Sequence, residues 1–119
     1  MTNNELGEVG EDLAVDHIRQ MGYSILARNY RFKKGEVDII CRNLNELVFV
    51  EVKTRQTNAF GEPYIAVSRV KQRQIIAVAN QFIKENDLDL EVRFDVISIV
   101  HNSFKTDMQH ISSAFIPLV

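Results

Sequence analysis

Cysteine is almost absent from this 119-residue chain. Cys41 stands alone inside an apolar segment, which excludes an intramolecular disulfide and a cysteine-based zinc site and fits a reducing compartment. Its surroundings make it a core residue. Long apolar runs are missing too, so no segment approaches the length that spans a bilayer. The opening residues, Met1 to Leu6, carry neither the basic lead nor the apolar stretch of an export signal. A soluble, cytoplasmic protein without a membrane partner is expected. No internal repeat, low-complexity segment or linker interrupts the chain, and the expectation is one domain over residues 1–119. The three histidines, His17, His101 and His110, follow no metal-ligand spacing and are expected to be structural or on the surface.

An excess of positive charge is also lacking, since the formal net charge is −2. That argues against a generic basic nucleic-acid-binding protein. The total hides a segregation, however. Residues 28–84 hold 11 basic and 5 acidic side chains, net +6, while the flanks hold 3 basic and 11 acidic, net −8. The middle of the chain is the part suited to a polyanion, unless the charges serve solubility alone and fell unevenly.

What is present reads as alternating helices and strands. Leu6, Gly10, Leu13, Ala14, Ile18 and Met21 recur at spacings of three and four, predicting a helix over residues 5 to about 21 that Gly22 ends. Strands are predicted over 23–32, 36–42 and 47–54, with Lys33-Lys34-Gly35 and Asn43-Leu44-Asn45-Glu46 as the turns. A loop with Gly61 and Pro63 leads to a helix over 68–85, with Ser68 as N-cap and Ile75, Val78, Ala79 and Phe82 as its buried stripe. A fourth strand follows over 91–100, and a fifth over 109–113 pairs back on it. The strand, helix, strand passage favours a parallel crossover between the third and fourth strands, giving an α/β fold with a mixed sheet covered by helices.

Strand alternation puts Glu36, Asp38 and Ile40 on one face of the second strand, and Val37, Ile39 and Cys41 on the other. The third strand splits into Val48, Val50 and Val52 against Leu47, Phe49, Glu51 and Lys53. A hairpin centred on Leu44-Asn45 sets Asp38 opposite Glu51 and Glu36 opposite Lys53. Opposed carboxylates repel unless a cation lies between them, and a divalent metal with hard oxygen ligands suits that place. Lys53, one pleat further on, would orient a water nucleophile or stabilise charge growing on a phosphate. The same residues also make a cross-strand salt-bridge cluster, with Lys53 bracketed by Glu36 and Glu51 and no metal.

The segments Gly10-Glu11-Asp12-Leu13-Ala14, Gly35-Glu36-Val37-Asp38-Ile39-Ile40, Phe49-Val50-Glu51-Val52-Lys53-Thr54-Arg55 and Arg93-Phe94-Asp95-Val96-Ile97 resemble the bacterial YraN family, also called UPF0102. That family is similar to archaeal Holliday junction resolvases in the restriction-endonuclease-like PD-(D/E)XK superfamily. The resemblance runs from about Leu6 to the C-terminus and implies an αβββαβ core. It implies that Asp38 is the motif aspartate, Glu51 the motif (D/E) and Lys53 the motif lysine. Glu11 matches the first-helix acid that completes the cluster in resolvase-like members. Val37 departs from the proline in the superfamily's name, as many members do. The resemblance implies a nuclease-like site without fixing a substrate, and it makes a homodimer attractive, since cutting two symmetric strands needs two sites.

Three function classes follow. The first is a Mg²⁺- or Mn²⁺-dependent endonuclease hydrolysing phosphodiesters in DNA, with branched or structured DNA as a candidate substrate. The second is a catalytically silent nucleic-acid-binding module that keeps the fold. The third is a partner-binding protein in which the central charges are only salt-bridged. For the first two, Arg28, Arg31, Lys33, Lys34, Arg55, Arg69, Lys71 and Arg73 are the candidate phosphate contacts. Tyr30, Phe32, Phe60 and Tyr64 lie among them, and as strand or loop aromatics are expected in the core more than stacked on bases.

Overall fold

The computed structural model describes residues 1–57 and 67–115. Its elements run α1 (Asn3–Gln20), β1 (Ser24–Phe32), β2 (Gly35–Arg42), β3 (Glu46–Arg55), α2 (Arg69–Asn86), β4 (Glu91–His101) and β5 (Thr106–Ile111). The five strands form one sheet in the order β1-β2-β3-β4-β5. Every neighbouring pair is antiparallel except β3 and β4, which are parallel and joined through α2. This is the mixed α/β sheet expected, consistent with an αβββαβ core. The fifth strand begins three residues earlier than its local pattern suggests, because Thr106 to Met108 find partners on β4. The loop bearing Phe60, Gly61, Pro63 and Tyr64 lies outside the described residues.

Local chemistry fixes the helix ends. Thr2 accepts a hydrogen bond from the Glu5 amide at 3.1 Å, and Ser68 does the same for Lys71 at 3.2 Å, so both helices carry a side-chain N-cap. Gly22 adopts a φ of 89° just after α1, and Asp87 a φ of 49° after α2. The β2–β3 turn is closed by Asn43, whose Oδ1 accepts from the amides of Asn45 and Glu46.

Two apolar layers sandwich the sheet. Beneath α2 pack Val37, Ile40, Leu47, Phe49, Phe94 and Val96 with Ile75, Val78, Ala79 and Phe82 of the helix, its expected stripe. Beneath α1 pack Ile39, Cys41, Val48, Val50, Ile97 and Ile99 with Ala14, Val15 and Ile18. Two glycines set how closely the helices sit. A Cβ on Gly10 would fall 1.8 Å from Thr54 Oγ1, and one on Gly35 would fall 2.6 Å from the Gln74 carbonyl oxygen. Only glycine permits these approaches, which bring α1 against β3 and β2 against α2 at the end of the sheet where the acids lie. Among the described residues, no helix is long and apolar enough to cross a membrane.

Candidate metal centre

The β2–β3 ladder follows the predicted register over Arg42–Leu47, Cys41–Val48, Ile40–Phe49 and Ile39–Val50. It does not continue to Asp38 and Glu51. Instead the Asp38 carboxylate takes over as acceptor, and its Oδ2 receives the Val52 amide at 2.7 Å. On the other side of β2, Asn29 falls between the Arg28–Ile39 and Tyr30–Val37 pairs with a left-handed backbone, φ 52°. Ladder pairing of β2 with β3 thus stops short of Asp38, while the β1–β2 register shifts only between Ile25 and Ala27.

The break changes the faces. Val37 packs beneath α2 with Ile40, whereas Ile39 and Cys41 face α1, so Val37 is not on the side that simple alternation predicts. Alternation holds only while a strand stays regular, and the irregularity lies between these residues. As a result Asp38 lines two clefts. One, of about 630 Å³, is shared with Glu11, Glu8, Asn29, Arg31 and Thr54 on the α1 side. The other, of about 290 Å³, is shared with Lys34, Glu36, Glu51, Lys71 and Gln74 on the α2 side. A third cleft of about 540 Å³ lies by the β2–β3 turn among Met21, Arg42, Leu44 and Glu46, away from this cluster.

Electrostatics single out Asp38. Burial, followed by the negative charge of Glu51, pushes its carboxyl up to about 7. Glu11 adds to the rise, while the Val52 amide and the Lys71 ammonium oppose it. The three acids therefore feel one another across α1, β2 and β3. Glu51 is buried and meets Lys71 Nζ at 2.5 Å. Glu11 is held by Arg28 at 2.9 Å and by Asn29 at 2.9 Å. Among the described residues, no three His, Cys, Asp or Glu side chains are gathered closely enough to hold one ion. The donors are nonetheless all carboxylate oxygens, the set a hard divalent cation takes, and the two that would join Asp38 are occupied by cationic side chains.

The basic residues divide in two. Arg28 bridges Glu11 and Asp12, Arg31 pairs with Glu36 at 2.7 Å, and Lys71 pairs with Glu51, so these three are engaged with the protein's own acids. Lys33 sits over the Phe32 ring at 5.3 Å. Lys34, Arg55, Arg69 and Arg73 are exposed. Lys53 lies on the α2 side of β3, two residues beyond Glu51 and in register with the buried Ser98 of β4. The Glu36 and Glu51 ion pairs run to Arg31 and Lys71.

One constellation was not visible in the sequence. Asp95, buried at 1% exposure, is gripped by Arg93 through both oxygens at 2.9 Å, by His110 Nε2 at 2.7 Å and by the Ser113 amide at 3.0 Å. His110 Nδ1 in turn lies 3.0 Å from His17 Nε2. Burial alone would raise Asp95, but the His110, Arg93 and Ser113 bonds hold it below the usual carboxylate range. The two histidines come from α1 and β5, 93 residues apart, and no local spacing announces that meeting.

The chain matches the model of the family described as uncharacterised protein family UPF0102 over residues 10–99. It is 46% identical over 113 residues to a UPF0102 protein of Christiangramia forsetii, covering 95% of each chain. It is 47% identical to one of Geotalea daltonii, covering 95% of this chain and 91% of that one. A relative from Caldicellulosiruptor saccharolyticus is 46% identical over 86% of this chain and 87% of its own. The match runs from the middle of α1 through most of β4 and includes Glu11, Asp38, Glu51 and Lys53.

Proposed function

This chain belongs to the UPF0102 family, and we propose that it is a divalent-metal-dependent endonuclease acting on phosphodiester bonds in DNA, with branched or structured DNA as the candidate substrate. The observation that carries this reading is a carboxylate placed where its charge is disfavoured: burial first, then the charge of Glu51 and to a smaller extent that of Glu11, lift Asp38 to about 7. Such a placement is costly in an ordinary sheet and becomes useful where a cation is to be bound. Asp38 and Glu51 would hold Mg²⁺ or Mn²⁺ from adjacent strands, and Glu11, on the α1 side of Asp38, would assist by adding negative charge to the site. The ion would activate a water and neutralise charge on the scissile phosphate. Lys53, on the same side as Glu51, would stabilise the attacking oxygen or the charge that develops on phosphorus.

The substrate has one natural side of approach. The outer face of α1 exposes Glu5, Glu8, Asp12 and Asp16, which repel phosphate, whereas Lys34, Arg69 and Arg73 are exposed around the start of α2. The α2 side is the phosphate-facing side in this reading.

A second reading, a silent nucleic-acid-binding module, draws on the ion pairs that already occupy Glu51 and Glu11. Calorimetric titration with Mn²⁺, beside a panel of linear and branched DNA and RNA substrates with Mg²⁺, Mn²⁺ or neither, separates the two. The enzyme reading expects metal binding lost in Asp38→Asn and Glu51→Gln. It expects Lys53→Met to keep metal binding while single-turnover cleavage falls by ~100-fold or more. Metal binding without cleavage of any substrate would favour the module, and unchanged metal affinity in Asp38→Asn would sink the site.

A further inference from the structure

Lys71 holds the acid that the metal site needs. Its ammonium lies 2.5 Å from Glu51 Oε1, inside the cleft that Asp38, Glu36 and Lys34 also line. The partners are unequally anchored. Glu51 is a buried strand residue with its side chain at 9% exposure, while that of Lys71 is at 45% and sits in the first turn of α2. Glu51 cannot leave without disturbing β3, but Lys71 can swing away on four rotatable methylene bonds. A divalent cation and the ammonium compete for the same oxygen, because both need the carboxylate lone pairs on the cleft side. When Lys71 departs it remains tethered within a side chain's length of the ion, beside Lys34, with Ser68 capping the helix end below it.

We propose that Lys71 is an exchangeable counter-ion: it occupies Glu51 in the metal-free protein, yields it to the divalent cation, and then pairs with a phosphate oxygen of the nucleic acid bound at that ion. The inference rests on the metal-site reading above. It makes metal and nucleic acid bind cooperatively, since the cation supplies Lys71 to the phosphate and the phosphate keeps Lys71 off Glu51. Each ligand then raises the affinity of the other by the same factor. Lys71 is therefore a positioning residue that acts through Glu51 before it touches substrate, and its exchange moves no proton.

The test is calorimetric titration of Mn²⁺ into wild type, Lys71→Met and Lys71→Arg, each with and without a DNA hairpin carrying phosphorothioate linkages. In wild type, Mn²⁺ affinity should rise about fivefold or more when the hairpin is present. In Lys71→Met, Mn²⁺ alone should bind more tightly than in wild type, and the hairpin should raise that affinity by a smaller factor than it does in wild type. Lys71→Arg, which keeps the competing charge, should retain weak metal binding in the absence of DNA. Thermal unfolding gives an independent readout. Without Lys71 the buried Glu51 lies uncompensated near Asp38, so Mn²⁺ should raise the unfolding temperature of Lys71→Met more than that of wild type. Lys71→Gln, which keeps a hydrogen-bond donor, covers the case in which the methionine variant does not fold, with the same expected direction. Mn²⁺ affinity equal to or below wild type in the Met or Gln variant overturns the proposal, as does an undiminished hairpin effect. Absence of Mn²⁺ binding to wild type would instead remove the metal-site reading on which the exchange is built.

Discussion

Asp38 is where burial and charge pull against each other. Its folded-state carboxyl sits at about 7 against an ordinary 3.8, because burial and then Glu51 disfavour the charged form. A raised folded value means the native state holds a proton that the unfolded chain has released. The associated stability is full below about pH 4 and is lost as pH rises through about 7. In the metal-free protein, Asp38→Asn should therefore be more stable than wild type above neutrality, by ~1–4 kcal/mol, with the gap closing towards about pH 4. The Asn side-chain oxygen can still accept the Val52 amide, so the local backbone has no reason to move. Urea unfolding at about pH 5 and about pH 8 checks this. No widening of the gap with pH would mean that the Asp38 charge is compensated in the folded protein. A variant stabilised in this way yet unable to bind metal would mark Asp38 as a residue kept at a cost to stability.

At the scale of elements, the regular parts of the chain were legible and the irregular ones were not. The α2 stripe Ile75, Val78, Ala79 and Phe82, the Ser68 cap, the β2–β3 register and the parallel β3–β4 pairing follow from periodicity and turn chemistry. These are local rules applied to regular structure, and they hold wherever structure is regular. Asp38 lies at a break in the ladder, so its placement in two clefts could not be read from alternation. The partners of Glu11 and Glu51 were also hidden, since Arg28 and Lys71 reach them from 17 and 20 residues away. The network of Arg93, Asp95, His110 and His17 is hidden for the same reason, and it ties β5 and α1 to β4. Asp95→Asn removes one of the two carboxylates that compensate Arg93, leaving Glu46 at 3.0 Å, and weakens the bond from His110. It should destabilise the fold by ~1–3 kcal/mol, and amide exchange along β5 should quicken before that of β2 and β3. An Asp95→Asn protein unfolding at the wild-type temperature would mean the network adds no net stability.

For the whole molecule, the −2 net charge misleads because the charge is partitioned by surface and by pairing. Eight basic residues of the central segment are candidates for phosphate, but Arg28, Arg31 and Lys71 are tied to Glu11, Asp12, Glu36 and Glu51. An arginine that must first leave a carboxylate releases fewer counter-ions when it meets phosphate, so its share of the salt dependence shrinks. Among the described residues, Arg69 and Arg73 form no ion pair with an acid. Both are exposed and four residues apart on α2, hence on one face of a helix whose first turn contains no acid to oppose them. Binding of a labelled DNA duplex without metal should therefore weaken steeply with salt. In Arg69→Ala with Arg73→Ala, the slope of log affinity against log salt should fall by about one unit per lost contact. Arg28→Ala should change that slope far less than either, because what it removes is chiefly an internal ion pair. Fluorescence anisotropy over a range of salt concentrations measures all three. A slope untouched in the double variant but reduced in Lys33→Ala with Lys34→Ala would centre the phosphate track on the β1–β2 turn, whose Lys34 lines the Lys71 cleft.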